Sequence, residues 1–89
     1  MKKNIRIAIV GTGYFSQFHF DAWIRLEVKV VAICSLNENN AIYYSKKFDN
    51  CPIYSNFKRM IDEIDLDFVD IVIPPKDHLK LIKIAANKN

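Results

Sequence analysis

Glycine and proline are both scarce, two and three in 89 residues, so the chain has neither a collagen-like repeat nor a Pro/Gly-rich, low-complexity segment. Cysteine is as rare. Cys34 and Cys51 stand alone, with His19 and His78 as the other soft ligands and no C-x-x-C spacing, so a metal site is not expected and both read as plain thiols. No apolar stretch approaches the about 20 residues that a membrane-crossing helix needs. The run after Lys2 and Lys3 is split by Arg6 and ended by glycines before any cleavage site, which excludes a secretory signal and leaves a cytoplasmic protein as the default expectation. Charge of one sign is also lacking: the net charge is +3, the basic residues are scattered, and Asp62, Glu63, Asp65, Asp67 and Asp70 interrupt them. A nucleic-acid partner is not indicated by such a distribution, nor a membrane partner.

What is present is a globular composition, 51% apolar and 26% charged, in a length that supports a single core. Residues 5–10 form a β-branched, nearly continuous apolar run that stops at Gly11, as expected of a central parallel strand covered on both faces. From Phe15 onward, Phe15, Phe18, Ala22 and Leu26 recur at helical spacing, and this stripe is the expected buried face of a first helix. Residues 28–34 give a second strand, Asn37 caps a helix with Ala41, Tyr44 or Ser45, and Phe48 inward, and Ile53-Tyr54 is a short third strand. Ser55 or Asn56 caps a helix with Phe57, Met60, Ile61 and Ile64 on one face. Residues 68–73 are a fourth strand that Pro74-Pro75 ends, and a last helix opens at Asp77 with His78, Ile82, Ala85 and Ala86 inward.

Alternation of this kind predicts an α/β fold: a Rossmann-type doubly wound parallel sheet, partial, with strands 1–4 in the order 3-2-1-4 and without the later strands or a substrate domain. The loops after Val10 and Ile73 diverge at the strand 1/strand 4 crevice, which makes them the ligand-binding loops. The open edge of strand 4 invites self-association, so a homo-oligomer is expected.

Chemistry concentrates on Gly11-Thr12-Gly13-Tyr14-Phe15-Ser16. Gly11 permits a tight strand-to-helix turn and Gly13 lets the backbone approach a pyrophosphate, while the amides of Tyr14 and Phe15 point outward at the positive end of a helix. Ser16 fills the third position of G-x-G-x-x-G, where a small residue suits close packing. A glycine pair alone also marks ordinary turns. Its place between a strand and a helix, inside a βαβ unit, favours a dinucleotide site. The carboxylate that would accept from the ribose 2′-hydroxyl of NAD is missing at the end of strand 2, where Ser35, Leu36 and Asn37 stand. NAD and NADP both stay open.

The glycine turn with His19 three residues on, combined with Asp67-Phe68-Val69-Asp70-Ile71-Val72-Ile73-Pro74-Pro75-Lys76-Asp77-His78, resembles the N-terminal domain of the glucose–fructose oxidoreductase / inositol dehydrogenase (Gfo/Idh/MocA) family across the whole chain. The resemblance implies hydride transfer between a nicotinamide cofactor, NAD or NADP, and an alcohol carbon of a sugar, cyclitol or related polyol. It implies that pyrophosphate rests on the turn from Gly11 through Thr12, Gly13 and Tyr14 to Phe15, that Ser35 and Leu36 border the adenosine ribose, and that Ile73, Pro74 and His78 line the cofactor on the strand 4 side. The family often has Thr or Ser where Ile73 stands. Its catalytic lysine, in a Glu-Lys-Pro motif after the next strand, and its substrate domain are not reached by Asn89. Residues 1–89 are therefore expected to be the cofactor-binding part of an oxidoreductase and, alone, inactive.

Several residues also have plainer readings. His19 reads as a helix histidine packed against a neighbouring loop, and His78 as a neutral imidazole donating to a ribose or a loop carbonyl. Phe15 and Phe18 read as core and the acidic stretch as largely solvated. A non-catalytic dinucleotide-sensing or interaction module is the alternative from another class, and an S-adenosylmethionine-dependent transferase is a more distant third.

Overall fold

The computed structural model describes residues 5–73 and 75–88. Its strands are β1 (Ile7–Val10), β2 (Val30–Cys34), β3 (Ile53–Tyr54) and β4 (Phe68–Ile71); its helices are α1 (Ser16–Arg25), α2 (Glu38–Ser45), α3 (Phe57–Glu63) and α4 (Pro75–Lys88). All strand pairs are parallel and the order is β3-β2-β1-β4, as expected from the alternation. β1 lies between two neighbours and under helices on both faces, which is why every residue of Ile7–Val10 is buried.

The two faces of the sheet hold separate apolar layers. Ala8, Val10, Ala32 and Cys34 pack against Phe57, Met60 and Ile61 of α3 and against Leu81, Ile84 and Ala85 of α4. Ile9, Val30 and Ile33 pack against Phe20 of α1 and Ala41 and Phe48 from the α2 region. Val30 and Ile33 share a face although three residues apart, because the β1/β2 register shifts: Ile7 pairs with Val30 but Ala8 with Ala32. The extra residue, Val31, restores the in-out alternation with which β2 meets β1. Fully buried Phe20 stacks on Tyr44 at 4.0 Å between ring centroids, and burial of such a side chain contributes about 1.5–3 kcal/mol.

Local signals set the element ends. Asn37 Oδ1 accepts from Asn40 N at 3.0 Å and Asn56 Oδ1 from Arg59 N at 2.9 Å, so both expected caps form and Asn56, not Ser55, starts α3. α2 tightens into a 3-10 turn at Lys46–Phe48 and stops where Asp49 and Asn50 turn left-handed. α4 begins at Pro75, two residues earlier than expected, because a proline's missing N–H costs nothing in a first helical turn.

Two expected helix faces are corrected. On α1 the buried residues are Ser16 and Phe20, with Trp23 half-buried, whereas Phe15 is 70% and Phe18 54% exposed. The helix carries two apolar stripes, and the one holding small Ser16 allows the closest approach to the sheet, so it faces inward. On α4 the packed residues are Leu81, Ile84 and Ala85, while Ile82 and Ala86 are exposed. With helix entry at Pro75, Leu81, Ile84 and Ala85 are the positions that meet α3 and the sheet.

Gly11 sits at the tightest point of this arrangement, with φ +106. A Cβ there would lie 2.2 Å from the Val72 carbonyl oxygen. Gly11→Ala is expected to lower folding stability by about 2 kcal/mol or more, as measured by urea unfolding; an unchanged midpoint would show that the β1 and β4 exits can part without penalty.

Candidate functional site

The loop after β1 is fixed by its neighbours and open at its tip. Gly11 N donates to Cys34 O at 2.8 Å, and Val72 N donates to Val10 O at 2.7 Å. The chain then turns into α1. Ser16, wholly buried, donates from its hydroxyl to Gly13 O at 2.6 Å and from its amide at 3.1 Å, so the third glycine position is filled by a small side chain whose hydroxyl is satisfied. Gly13 is different from Gly11. A Cβ there would meet nothing within 4 Å, so the chain's own packing does not require glycine at this point.

The amides of Thr12, Gly13, Tyr14 and Phe15 donate to no other described residue. The first turn of α1 holds no acidic residue, so nothing there opposes the roughly 0.3–1 kcal/mol that a helix's positive end offers an anion. Free amides, a helix start and an open position without a side chain fit a pyrophosphate.

Behind the turn is a brace that the sequence reading did not name. Thr12 Oγ1 and Ser35 Oγ share a hydrogen bond of 2.6 Å, and Asn40 Nδ2 donates to Thr12 O at 3.1 Å. Asn37 N donates to Ser35 Oγ at 3.0 Å. The start of α2 thus holds Thr12 from both its side chain and its carbonyl. The S-x-N spacing at 35–37 was the available signal, since Ser and Asn favour such local turns.

Of the expected site residues, Gly11, Ser35, Leu36 and Ile73 line one open cavity of ≈ 570 Å³ together with Asn56, Lys58, Lys80, Leu81 and others, a volume typical of small-molecule sites. Thr12, Gly13 and Tyr14 line a second cavity of ≈ 320 Å³ between the starts of α1 and α2. Phe15 stands at the turn and lines neither. Leu36 is 93% exposed, an apolar side chain offered to solvent at the cavity mouth. Pro74 lies outside the described residues. Larger still than the second cavity is an apolar groove of ≈ 490 Å³ along the free edge of β4, lined by Phe68, Val69 and Ile82 among others; no residue of the glycine turn lines it.

The two histidines have protein partners. His78 Nε2 lies 2.7 Å from Ile73 O; a carbonyl only accepts, so Nε2 carries the hydrogen and braces the loop after β4. His19 Nδ1 donates to Asp70 Oδ2 at 2.8 Å, and Trp23 Nε1 donates to the same oxygen at 2.9 Å. His19 therefore binds a strand carboxylate where packing against a loop was expected. Asp70, with its side chain only 16% exposed, departs from the solvated reading of the acidic stretch and ties α1 to β4. Cys34, beside the cavity, has its thiol pushed up to about 11 by burial, which keeps it protonated and unreactive at neutral pH.

This architecture defines a Rossmann-type dinucleotide-binding domain. Residues 5–89 match the family described as "Oxidoreductase family, NAD-binding Rossmann fold" (GFO_IDH_MocA), and the chain belongs to that family. It is 29% identical over 85 residues to a D-apiose dehydrogenase of Paraburkholderia graminis, covering 94% of this chain and 23% of that protein. The fold superposes with a TM-score of 0.87 on myo-inositol 2-dehydrogenase from Lactobacillus plantarum, at 31% identity over 97% of this chain and 26% of the other. It does so equally, with a TM-score of 0.87 at 28% identity and the same coverage, on scyllo-inositol dehydrogenase from Lactobacillus casei crystallised with NAD(H) and scyllo-inositol. The chain spans about a quarter of the length of these relatives.

The Asp70 tie yields a stability test. Asp70→Leu leaves two N–H donors without their acceptor and is expected to cost about 1–3 kcal/mol. Asp70→Asn, which keeps an oxygen able to accept both, should retain most of that; equal losses in the two variants by urea unfolding would refute the hydrogen-bonding role.

Proposed function

We propose that this chain is the cofactor-binding part of an NAD(P)-dependent oxidoreductase that moves a hydride between the nicotinamide and an alcohol carbon of a sugar, cyclitol or related polyol. The observation that carries the reading is the contrast between the two glycines: Gly11 is demanded by the Val72 carbonyl, whereas Gly13 faces open space beside four uncommitted amides. A residue without a side chain that its own protein does not need is explained by something that must come close from outside. The bound dinucleotide would supply the hydride acceptor or donor.

The chain's own residues bind and orient. The amides from Thr12 to Phe15 hold the pyrophosphate, with Gly11 and Gly13 shaping the turn and Tyr14 flanking it. Ser35 and Leu36 border the adenosine ribose, and Ile73 forms the opposite wall. His78 serves that wall through the Ile73 carbonyl. The D-apiose and inositol dehydrogenases among the relatives support the polyol class. Two unpaired thiols, Cys34 and Cys51, accord with a cytoplasmic setting. No helix of the described residues is long and apolar enough to cross a membrane.

A non-catalytic dinucleotide sensor is the second reading. It is favoured by the engagement of both histidines with protein partners, which leaves no imidazole of the described residues free to exchange a substrate proton. Self-association through the β4 edge belongs to the proposal as well, because among the described residues β4 pairs with β1 alone and its other edge runs beside the ≈ 490 Å³ apolar groove. Light scattering after gel filtration should give at least a dimer mass; a monomer over the whole concentration range would exclude it.

Calorimetric titration with NADH and NADPH tests the cofactor reading. Gly13→Val is expected to leave stability within about 0.5 kcal/mol yet weaken dinucleotide binding about tenfold or more, since its side chain would occupy the approach to the amides. Undiminished binding in that variant would remove the carrying observation. The 89-residue chain alone is expected to reduce no NAD(P) with polyols; turnover by it would show that the catalytic groups lie within these residues.

A further inference from the structure

Among the described residues, the ribose corner of the cleft carries no acid. Ser35 stands just past β2, where a carboxylate accepting from the adenosine ribose 2′-hydroxyl would select NAD. Its own hydroxyl is already committed: it shares a hydrogen bond with Thr12 Oγ1 at 2.6 Å, accepts from Asn37 N at 3.0 Å and donates to Asn37 O at 3.3 Å. A hydroxyl has one hydrogen and two lone pairs, so with Thr12 donating, Ser35 has nothing left to offer a ribose. Asn40 is spent in the same brace, its side-chain NH2 on the Thr12 carbonyl. Among the described residues, the charged ones lining the adjoining ≈ 570 Å³ cavity are Lys58 and Lys80, and no carboxylate lines it. Lys58 also pairs with Asp62 at 2.7 Å; Lys80 is exposed. Glu38, the first residue of α2, is exposed and outside that lining.

We propose that this corner selects the 2′-phosphorylated dinucleotide, NADP, over NAD, with Ser35 as the specificity-determining residue and Lys58 and Lys80 supplying the attracting charge. The proposal rests on the cofactor-binding reading above. An unphosphorylated ribose finds no carboxylate among the described residues for its 2′-hydroxyl, so NAD loses the interaction by which it is usually preferred. A 2′-phosphate brings a phosphomonoester's charge of about −1.5 to −2 to a cavity whose charged lining is cationic. Two residues beyond Ser35, the Asn37 side-chain NH2 is a donor with no partner among the described residues, because Asn37 caps α2 through its oxygen. Replacing Ser35 with an acid would reverse both terms at once.

The test is calorimetric titration of the full chain with NADPH and NADH, and with the fragments 2′,5′-ADP and 5′-AMP, at low and high salt. NADPH is expected to bind about tenfold or more tightly than NADH, with the fragments in the same order and the advantage shrinking as salt screens the lysines. Ser35→Asp should invert the order, and the double change Lys58→Gln with Lys80→Gln should cut the NADPH-to-NADH affinity ratio about fivefold or more. NADH binding as tightly as NADPH, or more tightly, overturns the selectivity while the cofactor reading stands. Preference for NADPH that survives Ser35→Asp overturns the assignment to Ser35. Failure of both dinucleotides to bind a chain that circular dichroism shows to be folded overturns the cofactor reading and this inference with it.

Discussion

The close passage of Gly11 under the Val72 carbonyl is the contact from which the rest of the site follows. β1 and β4 are neighbours in the sheet, yet their helices leave on opposite faces. The two exits must therefore separate immediately after the Val72 N–Val10 O hydrogen bond at 2.7 Å. A side chain at position 11 would collide there with the Val72 carbonyl, its Cβ 2.2 Å from the oxygen. Separation at that point opens the crevice, sends residues 12–15 over its rim and lets α1 start there. A binding cleft at the topological switch of a parallel sheet is thus a consequence of how the strands pack, before any ligand is considered.

Two further devices hold the rim still. Ser35 and Asn40 grip Thr12 from the α2 side, and Asp70 grips His19 and Trp23 from the β4 side. The turn that presents the amides is consequently tied to all three of β1, β2 and β4. Orientation of backbone donors before a ligand arrives lowers the ordering cost of binding. Side chains that might pass for catalytic groups, the two histidines, are instead part of this scaffold. In the proposed reading these residues seat and orient the dinucleotide, and neither histidine of the described residues is a catalytic group.

The same economy explains the polar residues near the cavity. Ser35 is consumed by bracing, which leaves the proposed ribose corner, among the described residues, with cations and without an acid. On the proposed NADP selection, cofactor choice is a by-product of how the β2–α2 turn is stapled to the glycine turn.

Much of this was readable from local pattern. The glycine turn, the four strands, the caps at Asn37 and Asn56, and the order 3-2-1-4 depend on interactions within a few residues or on handedness rules, which a sequence states directly. Which apolar stripe of α1 or α4 turns inward was not readable, because helical spacing reveals that stripes exist while only the neighbouring sheet decides which one approaches. Phe15, Phe18 and Ile82 lie outside for that reason, and Ser16, Leu81 and Ile84 inside. Likewise the partners of Thr12, His19 and Asp70 lie 23 to 51 positions away along the chain. Hydrogen bonds across such separations exist only once the layers have stacked, so the sequence determined the elements and the binding turn, and tertiary packing alone decided what steadies that turn and what surrounds its ligand.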